Sequence, residues 1–184
     1  MPVMRVIRHC LAPCAFLWLL SCTGSGPAVA SVVVPLSLVQ LTEAADLVAD
    51  VTVVDIRTVS GPEGIERVVQ VQVASCWKGE APSTVYVRLA GGRLGATETR
   101  VPGVPILHDG DRLVLFLVAH PRGGYSVLGL HQGALAAVTG VDGIARVLAP
   151  SRASGARGDI RRVPRRIADL EGEVRSVAGT GAAR

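Results

Sequence analysis

Outside the first thirty residues, the side chains best suited to hold a metal or attack an electrophile are His108, His120, His131 and Cys76. Zinc ligation is announced in sequence by donors at short fixed spacing, such as two His four residues apart with a Glu beside the first. The three histidines follow no such spacing, and each falls near the end of an expected strand. Loops can still gather distant residues, so one reading is a metal-binding enzyme that combines these histidines with Asp109 or Asp111. Nucleophilic catalysis has less to build on. There is no Gly-x-Ser-x-Gly elbow, and Cys76 has no His partner nearby in sequence. Lys78 would lower the thiol pKa only if it came close. The glycine-rich run Gly91-Gly92-Arg93-Leu94-Gly95 lacks the Lys-Ser/Thr that a phosphate loop needs. The leading reading is therefore non-enzymatic and without a cofactor.

Charge narrows the partners. The sequence pI is 9.2, but the basic excess sits at the end of the chain. Residues 151–184 hold eight Arg against four acidic residues, whereas residues 31–150 hold nine Lys and Arg against eleven Asp and Glu. Single-stranded nucleic acid needs aromatic platforms on a positive groove. With only Trp77, Tyr86, Phe116 and Tyr125 after the leader, on an acidic body, nucleic acid is not an expected partner.

The first thirty residues read as an export signal. Arg5 and Arg8 precede an apolar run from Leu11 to Leu20, and Ala28-Val29-Ala30 offers a cleavage site between Ala30 and Ser31. A competing reading takes Leu19-Leu20-Ser21-Cys22 as lipobox-like, which makes Cys22 a lipid anchor and the chain a structural envelope lipoprotein. The apolar run of about ten residues is too short to cross a hydrocarbon layer of about 30 Å, so no transmembrane span is expected in the mature chain. The expected location is periplasmic or extracellular, or membrane-anchored if Cys22 is lipidated. Removing residues 1–30 also removes Cys10, Cys14 and Cys22, leaving Cys76 alone. Without an internal disulfide, an exported domain depends on its apolar core.

That core is written as strands. Asp111 to Val118, entered through His108-Asp109-Gly110, is almost uninterrupted apolar sequence after Arg112, as expected of a strand covered on both faces. Ser37 and Gln40 form a capping box for a helix from Leu38 to Ala45. Strands are expected over Leu47–Val59, through Val69, Val71 and Val73 to Lys78, and over Thr84–Leu89. Ala90 to Gly110 is long and broken by Gly and Pro, which marks it as the candidate partner-binding loop. Its proposed contact residues are Arg93, Leu94, Thr97, Arg100, Val101, Pro102, Val104 and Pro105. A strand follows from Tyr125 to Leu130, and Val141-Asp142-Gly143 signals a hairpin between two further strands. The expected layout is a signal peptide over 1–30, a β-barrel domain over 31–150 and a linker over 151–163. A C-terminal amphipathic helix over 164–178 begins at Pro164, and a disordered tail covers 179–184. The fold class is mainly β, a small closed or partly open antiparallel barrel.

The order of three motifs carries a resemblance. Ala45-Asp46-Leu47-Val48, then Trp77-Lys78-Gly79, then Gly110 to Leu117 resembles a type of uncharacterised secreted bacterial domain. It is also similar to the netrin-like, OB-type barrel of tissue inhibitors of metalloproteinases, over about residues 35–133. The resemblance implies an OB-like fold and a protein-binding module, with a peptidase as a conceivable partner. Those inhibitors present the α-amine of a disulfide-braced N-terminal Cys to the target zinc. Here the expected mature end is Ser31-Val32-Val33-Val34, so that mechanism lacks its residue.

Overall fold

The computed structural model describes residues 34–150 and 162–181. The expectations for the leader, Cys22, the Ala30/Ser31 cleavage site and most of the 151–163 linker lie outside the described residues. Helix α1 spans Leu38–Ala44, followed by β1 Leu47–Gly61, β2 Gly64–Lys78 and β3 Thr84–Ala90. A small hairpin comes next, β4 Gly92–Leu94 and β5 Thr97–Thr99, then β6 Arg112–Ala119 and β7 Tyr125–Val127. A 3-10 turn at Leu130–Gly133 leads to β8 Ala134–Thr139, β9 Ala145–Pro150, β10 Arg162–Arg166 and helix α2 Ile167–Gly181.

The main sheet runs β1-β2-β3-β7-β6, and β6 also bonds back to β1, which closes a five-stranded ring of OB type. β1 and β2 pair along nearly their whole length, with three register shifts that leave Ala74 and Trp77 of β2 and Val54 of β1 as extra residues and curve the pair, and β1 also pairs with β6 over Leu47–Thr52. One expectation is corrected here. The ring is not wholly antiparallel, because β3 and β7 run parallel. Five strands cannot alternate direction all the way round a closed ring, so one pair must be parallel.

β6 has two covered faces, as its sequence predicts, because two cores share it. Leu113, Leu115 and Leu117 point into the barrel with Leu47, Val51, Val69, Val71, Val85 and Val87. Val114 and Phe116 point outward into a second core with Leu41, Val48, Trp77, Leu135 and Val147, closed by Ile167, Leu170 and Val174 of α2. β8 creates that second core. It bonds to β6 at Leu113–Leu115, beyond the end of β7, then leaves the ring to form a side sheet with β9 and β10.

The C-terminal helix therefore docks on the domain, but its bounds are Ile167–Gly181 and not 164–178. Pro164 pairs opposite Leu148 in β10, the last strand of the sheet, where a residue with no N–H to donate is tolerated. The helix continues past 178 with Val177 and Ala178 partly buried, which places 179–181 in the helix and not in a tail.

Candidate functional site

The connection between β3 and β6 is fastened to the barrel at both ends and in the middle. At its start, Gly91 donates to the Ile65 carbonyl (2.8 Å) with φ +82, a conformation in which a Cβ would collide with the Thr99 carbonyl. In the middle, His131 N–H donates to Gly103 O (2.8 Å) and Arg67 Nη2 donates to Pro105 O (3.2 Å). At its end, Leu107 enters the barrel core, Gly110 N–H donates to Val53 O (2.9 Å), and Asp111 Oδ2 accepts from His108 N–H (2.8 Å). Between these anchors the chain projects the β4–β5 hairpin, with Arg93 opposite Glu98 and Leu94 opposite Thr97.

The eight residues singled out in sequence divide by role. Arg93, Leu94, Thr97, Arg100, Val101 and Pro102 are exposed. Pro105 is buried and Val104 packs against the barrel core, so these two hold the connection in place and offer a partner little surface. Ile106, 78% exposed, was not among the eight and joins Leu94 and Val101 as the third exposed large apolar side chain of the connection. Its signal was present in Pro105-Ile106-Leu107, where alternation in an extended segment turns the middle residue outward when its neighbours are buried. Arg100 is held by Glu98 at 2.7 Å, and that bond lowers the Glu98 carboxyl pKa.

The histidines do different local jobs. His108 lies exposed beside Asp111, with Nδ1 3.4 Å from Oδ2. His120 Nδ1 accepts from Arg122 N–H in the β6–β7 turn (3.1 Å), and the His131 backbone ties the 3-10 turn to Gly103. Among the described residues, no three His, Cys, Asp or Glu side chains gather where they could hold a metal ion.

Cys76 and Lys78, two apart on β2, do different work: Cys76 packs against the barrel core, and Lys78 reaches the end of α1. The Lys78 ammonium donates to the carbonyls of Thr42 (2.7 Å), Glu43 (3.0 Å) and Ala45 (2.6 Å), closing the C-terminal end of the helix. With that cation engaged elsewhere, burial pushes the Cys76 thiol up, against smaller opposing effects from its bond to Lys78 O and from Arg175. The thiol lies in a cleft of about 640 Å³ between the end of β2, Glu43 and α2 residues Arg175, Val177, Ala178 and Gly179. Iodoacetamide should therefore alkylate the Cys76 peptide about an order of magnitude more slowly at pH 8 in the folded chain than in urea. Folded and unfolded rates that match would mean the thiol is not held in this environment. The raised pKa has a stability sign as well. The unfolded thiol ionises first as pH rises, so this group's contribution to stability is lost in the alkaline range.

Two ion clusters that sequence reasoning missed brace the ring. Arg112 binds Asp50 through Nε–Oδ1 (3.0 Å) and Nη2–Oδ2 (2.6 Å) across the β1–β6 seam, and Asp50 is 3% exposed. Buried Glu66 of β2 accepts from Arg88 of β3 (2.9 Å) and from both terminal nitrogens of Arg122 (3.0 and 2.8 Å). Each pair is far apart in sequence, so no local motif announces it.

The fold thus defines a class, an OB-like barrel carrying a side sheet and two docked helices. Beyond that class, no family model and no curated protein matches the chain. Among the described residues, no helix is long and apolar enough to cross a membrane.

Proposed function

We propose that this chain is a non-enzymatic, exported protein-binding module whose contact surface is the β3–β6 connection. The observation that carries the reading is the pairing of exposed Leu94, Val101 and Ile106 with a backbone fixed by Gly91, Pro105 and Leu107. Apolar side chains on a pre-fixed loop bind with a smaller ordering cost than the same residues on a free one. Arg93 and Arg100 flank them and give the surface a polar rim. Export is supported by the leader-like first thirty residues, and the motif-order resemblance to netrin-like domains makes peptidases the first partners to test.

The test is capture from a periplasmic or culture extract, using the wild type and a variant carrying Leu94→Glu, Val101→Glu and Ile106→Glu. One protein should co-purify in stoichiometric amount with the wild type and be lost from the variant, while the thermal transition stays nearly unchanged. Equal capture by both would reject this surface. Deleting the whole connection is a poorer test, because Leu107 and Val104 belong to the barrel packing.

A further inference from the structure

Arg67 of β2 lies beneath the β3–β6 connection and meets it twice. Its partners across the sheet are Thr58 of β1 and Leu89 of β3, so its side chain shares the face that Leu89 turns into the barrel core. The guanidinium reaches the last limb of the connection, where Nη2 donates to Pro105 O (3.2 Å), and the stem lies against the first limb at Gly92. Gly92 has φ +142, and a Cβ there would come to 3.0 Å from Arg67 Cγ and 3.1 Å from Thr58 Cγ2. What Arg67 lacks is an anion. Among the described residues, Arg88, Arg146 and Arg165 are half-buried as it is, and each holds a carboxylate, at 2.9, 2.6 and 2.6 Å. Arg67 forms no ion pair among the described residues, and its buried Nε–H meets no acceptor.

A guanidinium drawn partly out of water without an anion costs stability. Burial accordingly pushes the Arg67 pKa down, yet the group stays charged at any working pH. Arg93, the exposed neighbour of Gly92, also forms no ion pair among the described residues and adds positive potential beside it. We propose, resting on the reading of the connection as the contact surface, that Arg67 is the point at which this surface recognises a carboxylate of its protein partner, an Asp or Glu side chain set between apolar residues. The planar donors of a guanidinium match the two oxygens of a carboxylate, and a neutral amide offers no such match. Ile106 follows Pro105 and is exposed, and Val101 Cγ2 lies beside Gly91, so apolar side chains stand on both limbs that Arg67 joins. An arginine ringed by apolar contacts that exclude water is where one charge pair discriminates most between partners.

A displayed library of random peptides, selected on the wild-type chain, tests it. The control for the surface combines Leu94→Ala, Val101→Ala and Ile106→Ala, because glutamates at these positions could themselves engage Arg67. Enriched peptides should lose binding to that control and share one acidic position with apolar neighbours. In a synthetic peptide of the enriched sequence, exchanging the acid for its amide should weaken binding to the wild type about tenfold or more. Arg67→Met keeps the apolar stem and should abolish the discrimination, so that acid and amide forms bind within about twofold of each other. If circular dichroism shows Arg67→Met misfolded, Arg67→Gln replaces it with the same expectation. A variant that weakens both forms and leaves their ratio unchanged overturns the proposal, since Arg67 would then only shape the surface. Enriched peptides that need the three apolar residues but share no acidic position overturn it too, and leave the contact surface standing. Peptides that bind the triple-alanine control as well as the wild type, or a failure to enrich any sequence, reject the surface and the carboxylate together.

Discussion

Phe116→Ala is expected to destabilise the protein by about 3–5 kcal/mol, the range for removing a large buried aromatic side chain. Phe116 is 0% exposed and sits on the outward face of β6, among residues from α1, β1, β8, β9 and α2. Deleting the phenyl ring empties space in a core to which these five elements and Trp77 of β2 contribute. Among them β1 is hydrogen-bonded to β2 and β6, β8 to β6 and β9, and β9 to β8 and β10, so these strands cannot all move inward to refill it. Against a typical total of about 5–15 kcal/mol, a loss of this size moves the urea midpoint a long way or prevents folding at 37 °C. A companion variant separates the two cores. Leu115→Ala opens a cavity inside the barrel and should cost about 2–5 kcal/mol, whereas Val101→Ala on the exposed connection should stay within about 0.5 kcal/mol. A Phe116→Ala loss under about 1 kcal/mol would mean that α2 and the side sheet do not pack on β6 as described.

Lys78→Met is expected to cost about 2–3 kcal/mol, although Met keeps most of the apolar stem and the residue lies at a strand end. The ammonium alone satisfies three carbonyls at the end of α1, a helix of seven residues that is too short to hold itself together. Gly79 completes the contact. With φ +77 it lets the chain turn against Asp46, where any Cβ would meet the Asp46 carbonyl. Loss of the ammonium should therefore show locally as well as globally. Amide hydrogen exchange in Leu41–Ala45 should accelerate more than exchange in β2 and β6, and uniform acceleration would show that Lys78 does not act on the helix end.

The same contact explains why two of the three motifs stood out in sequence. Ala45-Asp46-Leu47-Val48 and Trp77-Lys78-Gly79 lie about thirty residues apart in sequence, yet Val48 pairs with Lys78 across β1 and β2. Trp77 and Val48 share the outer core, Lys78 caps the helix that ends at Ala45, and Asp46 accepts the Ala119 N–H at the end of the third motif's strand (2.7 Å). The motifs are one structural joint, which locks α1 and the β1–β6 seam to the end of β2.

Local pattern determined most of the elements. Period-two alternation in Val69-Val71-Val73 and Val85-Val87-Leu89 marked strands with one buried face, and the capping pair Ser37 and Gln40 marked α1, because both signals are properties of neighbouring residues. The unbroken apolar run of β6 correctly implied cover on two sides, but it held no information on what the cover was. Only the tertiary structure decided that β8 leaves the ring and that Pro164 belongs to an edge strand. It alone also joined Glu66 to Arg88 and Arg122, and Asp50 to Arg112. The ion pairs depend on the geometry of ring closure, and the side sheet on β6 being shared between the ring and β8, both of which bring distant residues together. Sequence determines which side chains must leave water, whereas the closed ring decides which distant groups they meet when they do.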